Sequence, residues 1–267
     1  MDIYQRNNIT ILGKGTIPMI FAHGFGCAQH MWRDIWPAFE NEYKIVLFDY
    51  VGSGKSDLSA YNEERYANLN GYAEDVLDIC KALKLKDAVF VGHSVSSIIG
   101  VLASLKEPSF FQSLVMIGPS PRYVNDLAYH GGFEKKDIDE LLVTMEQNYE
   151  GWANFLAPVI MKNPERPQLS QELTESFCAT DPTIARQFAE VTFLSDNRKD
   201  LNKVTHPSLI LQCSDDIIAP LAVGLYLKAN LKNSTIKIMK ATGHCPHISD
   251  PQETIQLMKE YLTQLNH

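Results

Sequence analysis

The chain has 267 residues, 45% hydrophobic and 21% charged, and its 24 Lys and Arg against 32 Asp and Glu leave a net charge of −8. This composition excludes intrinsic disorder and fibrous repeats, and a chain of this size hides roughly three quarters of its unfolded surface on folding, so its core needs no metal or disulfide staple. The negative field repels phosphate backbones and anionic lipids, and no basic cluster exceeds the pairs Lys135-Lys136 and Arg198-Lys199, so neither nucleic acid nor a membrane is an expected partner.

Short apolar runs at 17–22, 44–48, 88–91, 114–117 and 208–211 predict buried strands, each bounded by Gly, Asp or Pro. The runs are continuous rather than alternating, as expected of strands covered on both faces in a parallel sheet. Between them, residues 69–85 place Tyr72, Val76, Ile79 and Leu83 at helical spacing. From Pro121 to about Asp200 strand signals vanish. Ile138, Leu141, Leu142, Met145, Tyr149 and Trp152 form one helical stripe, which Phe155, Leu156 and Val159 continue after Gly151. Asp181-Pro182 is an N-cap with proline at the first helical position, opening a helix with Ile184, Phe188 and Val191. A strand at 235–239 and a helix at 251–265 close the chain. The pattern predicts an α/β doubly wound sheet with a core formed by 1–121 and 201–267, and a helical lid at 122–200.

The strongest chemical signal is Val91-Gly92-His93-Ser94-Val95-Ser96-Ser97, where a strand turns sharply into an apolar helix. That is the context of a nucleophile elbow, in which a strained turn presents the serine hydroxyl and its neighbours at two before and two after must be small. Gly92 meets this condition, whereas position 96 holds Ser where the Gly-x-Ser-x-Gly pattern has glycine. A serine nucleophile needs a base and a group to orient that base, and in this architecture the order is Ser, acid, His. The acid lies in Cys213-Ser214-Asp215-Asp216-Ile217-Ile218-Ala219-Pro220, where Asp216 is preferred to Asp215 because it stands four residues before the proline. The base is His244 in Thr242-Gly243-His244-Cys245-Pro246-His247, with His247 its rival in a packing or supporting role. Donors for an oxyanion are expected from the amides of Phe25, in His23-Gly24-Phe25-Gly26, and of Val95 at a helix N-terminus. The run Asp49-Tyr50-Val51-Gly52-Ser53-Gly54 follows a strand but is not a dinucleotide fingerprint, and reads as a turn beside the site. Five scattered cysteines, at 27, 80, 178, 213 and 245, suit neither a disulfide framework nor zinc, so reduced thiols, a cytoplasmic protein, no metal and no cofactor are expected.

Together these residues resemble the α/β-hydrolase superfamily. The resemblance is closest to the branch of the bacterial sigma-B stress-pathway hydrolase RsbQ, whose plant relatives are the karrikin and strigolactone receptors. It is carried by His23 to Cys27, Leu47 to Gly54, Gly92 to Val95, Phe177-Cys178, Asp181 to Phe188, Leu209 to Pro220 and Gly243 to His247. The plant relatives also carry serine at the position of Ser96. The resemblance implies a Ser94, Asp216, His244 triad, an oxyanion hole at Phe25 and Val95, and a V-shaped lid over an apolar cavity. Lid aromatics Phe133, Trp152, Phe155, Phe188 and Phe193 are expected to line that cavity. The expected activity is hydrolysis of a small, mainly apolar ester or lactone, with a sensor-domain protein phosphatase of the stress response as partner. The alternatives are a ligand-perceiving module with incidental hydrolysis, and a metabolic carboxylesterase or haloperoxidase-like enzyme. Dehalogenases and epoxide hydrolases use a carboxylate where this chain has Ser94.

Overall fold

A computed structural model describes residues 2–265. Its single sheet has seven strands: β1 (Thr10–Leu12), β2 (Ile17–Ala22), β3 (Tyr43–Leu47), β4 (Ala88–His93), β5 (Phe111–Ile117), β6 (Ser208–Asp215) and β7 (Ser234–Thr242). They lie in the order β1-β3-β2-β4-β5-β6-β7, all parallel except β1, which runs antiparallel to β3. The apolar runs do cover both faces. Ile20, Val46, Phe90, Leu114 and Ile210 enter one core cluster, while Met19, Phe21, Ile45, Val89, Val91 and Leu209 enter another. Strand β1 has no counterpart among the predicted strands, because three half-buried edge residues leave no apolar run to read.

The helices are α1 (Ile3–Arg6), α2 (Leu69–Ala82), α3 (Val95–Lys106), α4 (Lys135–Gln147), α5 (Tyr149–Met161), α6 (Pro167–Cys178), α7 (Pro182–Phe193), α8 (Leu221–Asn230), α9 (Pro246–Ser249) and α10 (Pro251–Leu265). Among the described residues none is long and apolar enough to cross a membrane. Four of them, α4 to α7, lie between β5 and β6. In this region Gly151 does not interrupt the helical stripe as the sequence suggests. The break falls at Asn148, whose side chain accepts the Gly151 N–H at 2.9 Å and starts α5. Asp181 caps α7 by accepting from the amides of Thr183 and Ile184.

The chain order fixes where a site can form. From β2 the chain moves to one side to make β3, then crosses to the other side to make β4, so the connections diverge between the paired strands β2 and β4. The crevice beyond the carboxyl ends of strands at such a switch point is where open α/β sheets bind ligands. The loop after β2 carries Phe25, and the turn after β4 carries Ser94.

Candidate active site

Ser94 sits between β4 and α3 with φ 55° and ψ −125°, a conformation that residues with a side chain rarely adopt. Strain of this kind costs about 1–3 kcal/mol and must be imposed by the surroundings. Here the Ser94 N–H donates to Ile117 O at 2.8 Å, and the Ser97 hydroxyl donates to Gly92 O at 2.8 Å. A Cβ on Gly92 would lie 2.7 Å from the Ser96 backbone, which explains the glycine.

The structure brings three of the expected side chains into one line. His244 Nε2 is 2.7 Å from Ser94 Oγ, and His244 Nδ1 is 2.7 Å from Asp216 Oδ2. All three residues are buried. The other Asp216 oxygen accepts the N–H groups of Ile218 and Ala219 at 2.8 and 3.0 Å, so the turn before Pro220 aims the carboxylate. Asp215, by contrast, points outward and pairs with Lys162 at 2.5 Å. Two backbone bonds clamp His244: its N–H donates to Ile160 O at 2.9 Å, and its carbonyl accepts from His93 Nε2 at 2.9 Å. The first ties the residue to the end of α5. A Cβ on Gly243, at φ +83°, would come within 2.3 Å of Met161 O.

His247 is buried with its ring tilted against those of Trp32 and His93, at 4.7 and 4.2 Å between centroids. Burial lowers its pKa to about 3 and holds that of His93 well below the usual range. Both rings are therefore neutral at pH 7, and His93 donates its Nε2–H to the His244 carbonyl. On the far side, among the described residues, neither the Phe25 nor the Val95 N–H donates within the protein.

The pocket differs from the sequence expectation. The space beside Ser94 is about 30 Å³, room for one or two waters. Of the five expected lid aromatics, Phe193 lines it. Trp152 and Phe188 stand behind, against the Phe25 ring at 6.0 and 5.7 Å, and Phe133 packs on Phe193 at 6.2 Å. Phe155 does not take part: its side chain is 73% exposed on the outer face of α5. Its place in the stripe is one helical step from the buried face, which periodicity alone does not resolve. Sequence reasoning missed Cys27, Tyr123, Ile160, Leu173, Phe177, Thr192, Ile218 and Cys245 in the lining. Cys27 and Cys245 could have been found, since they adjoin the oxyanion loop and the base. Tyr123 and Thr192 carry no local signal. The Tyr123 hydroxyl, kept protonated by burial, lies 3.5 Å from Ser94 Oγ, and the buried Thr192 hydroxyl has no hydrogen-bond partner among the described residues.

Residues 17–198 match the family described as alpha/beta hydrolase fold. The chain belongs to the α/β-hydrolase family. Among curated relatives, this α/β-hydrolase is 36% identical to "Karrikin insensitive 2 receptor CA" of Petunia hybrida over 261 residues, covering 97% of both chains. It is 34% identical to "Strigolactone esterase D14" of Arabidopsis thaliana, covering 98% of both. Among solved structures, a hydrolase from Oleispira antarctica superimposes with a TM-score of 0.96 at 43% identity, covering 98% of this chain and 96% of the other. The α/β-hydrolase is thus related along its whole length to esterases and to receptors named for plant signals.

Proposed function

We propose that this α/β-hydrolase is a cofactor-independent serine hydrolase of a small, mainly apolar ester or lactone. The observation that carries the reading is the unbroken hydrogen-bonded line Ser94–His244–Asp216, with both links at 2.7 Å, at the switch point of the sheet. Ser94 Oγ attacks the acyl carbon while His244 Nε2 takes its proton. Asp216 holds the Nδ1–H tautomer and stabilises the imidazolium that forms. The carbonyl oxygen becomes an oxyanion facing the Phe25 and Val95 amides, the latter at the N-terminus of α3. His244 then returns the proton to the departing alcohol, and water releases the acyl group by the reverse steps. The largely apolar lining, with the hydroxyls of Tyr123 and Thr192 among few polar groups, favours a substrate with little charge.

Labelling with a fluorophosphonate probe tests this directly. The unaltered protein is expected to be labelled and Ser94→Ala is not; labelling that persists in Ser94→Ala would show that another nucleophile is at work.

A second reading is favoured by the relatives named as receptors: the chain perceives a ligand and presents its lid to a partner. The hydrolase reading itself extends to a positive regulator that processes its ligand on behalf of a sensor-domain phosphatase in a sigma-B type stress response. Support for this finer assignment is the resemblance to the RsbQ branch, and the five free thiols suit a reducing, cytoplasmic setting. Returning Ser94→Ala to cells separates the readings. Full signalling without chemistry favours perception, and lost signalling favours hydrolysis. A metabolic carboxylesterase would show turnover with no effect on signalling.

A further inference from the structure

Position 96, where the elbow departs from glycine, makes two contacts that glycine cannot. Ser96 is fully buried, its Oγ donates to the His23 carbonyl at 2.5 Å, and it lies 3.0 Å from the Tyr50 hydroxyl. The proton directions follow from chemistry. A carbonyl only accepts, so Ser96 donates to it, and Tyr50 donates to Ser96. The Tyr50 N–H in turn donates to His23 Nε2 at 3.3 Å, and His23 Nδ1–H donates to Gly24 O at 2.8 Å. Each of these groups is satisfied at once only if His23 is neutral, and burial lowers its pKa in that sense.

The place of this network matters more than its energy. Ser96 directly follows Val95, and the His23 carbonyl is two residues before Phe25. The β2–β4 register ends at Ala22 and Gly92, and beyond it no backbone hydrogen bond joins the two segments among the described residues. Beyond Phe25 the loop is packed against α6, where the Ser176 hydroxyl donates to Gly26 O at 2.7 Å and Phe177 lies where a Gly26 side chain would begin. At its outer end the loop is held by Asp49, whose Oδ1 accepts the Gln29 N–H at 2.7 Å. At its inner end, nearest the nucleophile, the Ser96–His23 bond is the direct polar tie to the elbow.

We propose that Ser96, supported by Tyr50, is a positioning residue that sets the separation of the two oxyanion donors, the Val95 and Phe25 amides. The role rests on the serine-hydrolase reading given above. Ser96 acts through the backbone, touching neither substrate nor reacting atoms. Donors of an oxyanion hole contribute only when they lie at the position the developing charge will occupy, and losing one donor costs about 10²–10³ in kcat. Loosening the spacing of a pair that is still present is expected to cost less, about tenfold or somewhat more.

The test measures kcat and KM with p-nitrophenyl acetate, together with binding of a trifluoromethyl ketone and of the matching methyl ketone. With the first ketone, Ser94 Oγ bonds to the carbonyl carbon, its proton passes to His244, and the C=O electron pair becomes an oxyanion in the hole. The methyl ketone stays an unreacted ground-state ligand. For Ser96→Ala, kcat is expected to fall about tenfold or more with KM within about threefold. Trifluoromethyl ketone affinity is expected to fall by the same factor, and methyl ketone affinity to stay constant. The double variant Ser96→Ala/Tyr50→Phe removes the tyrosine hydroxyl that would be left unpaired, and gives the same split should the single variant fold poorly. Unchanged kcat, or a loss shared equally by KM and both ketones, overturns the positioning role while Ser94 labelling leaves the hydrolase reading intact. If the unaltered protein is not labelled at Ser94, both readings fall.

Discussion

Residue by residue, the site turns on which of two adjacent or nearby candidates is aimed inward. Asp216 and Asp215 are equivalent in composition, but one points its carboxylate at His244 Nδ1 and the other pairs with Lys162 on the surface. For Asp216→Asn, turnover is expected to fall roughly 10⁴-fold, because the amide favours the wrong imidazole tautomer. Asp215→Asn is expected to leave kcat within about twofold, since an exposed ion pair contributes about 0–1 kcal/mol. Steady-state kinetics of both variants decide the matter, and a loss below tenfold in Asp216→Asn would count against the assignment. The preference for Asp216 was legible from its distance to Pro220; the two amides that fix its orientation were not, because they depend on how the turn folds. The same holds for His244 and His247. Their motif is shared, and only packing against Trp32 and His93 removes His247 from the chemistry.

Among the elements, the helices between β5 and β6 reach the base itself. The end of α5 supplies the Ile160 carbonyl that receives the His244 N–H, and Asn163 reaches the Thr242 carbonyl at 3.3 Å. Movement of α5 is therefore felt by the base. Gly243 stands at this contact, at φ +83° and with the Met161 carbonyl where a side chain would begin. Gly243→Ala is expected to destabilise the fold by more than about 1 kcal/mol, as alanine does where φ is positive. It is also expected to lower kcat by shifting His244. Urea unfolding and kinetics on the same preparation check this, and an unaltered midpoint with full activity would refute the coupling. Helical periodicity was legible where α4 to α7 form, from Lys135 to Phe193, because each helix buries one stripe; residues 122–134 instead form turns and isolated bridges such as Val124 with Phe133. Periodicity did not reveal which aromatic rings reach the cavity. Trp152 from α5 and Phe188 and Phe193 from α7 converge on Phe25, while Phe155 of α5 faces outward.

Over the whole molecule, several buried histidines make stability depend on pH. His23, His93 and His247 have pKa values lowered chiefly by burial, His247 to about 3. A depressed pKa means that the unfolded chain binds protons that the folded chain refuses. Their contribution is fully present above about pH 6.5, the ordinary histidine value, and is lost progressively as pH falls toward 3. The buried carboxyl of Asp75 works in the opposite sense, since burial raises its pKa against the pull of Arg6 and Arg65. With three histidines against one carboxyl, the urea midpoint is expected to be lower at pH 5 than at pH 7.5. An equal or higher midpoint at pH 5 would contradict the neutral, buried state of these rings.

What the sequence determined by itself is local or periodic: strands buried on both faces, helices with one apolar stripe, the small-residue elbow, and the order Ser94, Asp216, His244. Those features follow from backbone geometry and side-chain size within a few residues, so they survive without coordinates. What only the tertiary structure decided is convergence. The hydroxyl of Tyr123 beside Ser94, the α5 carbonyl on His244 and the Ser96 bond to His23 join segments distant in the chain. Such contacts arise from how the sheet twists and the lid settles, and no spacing along the sequence encodes them.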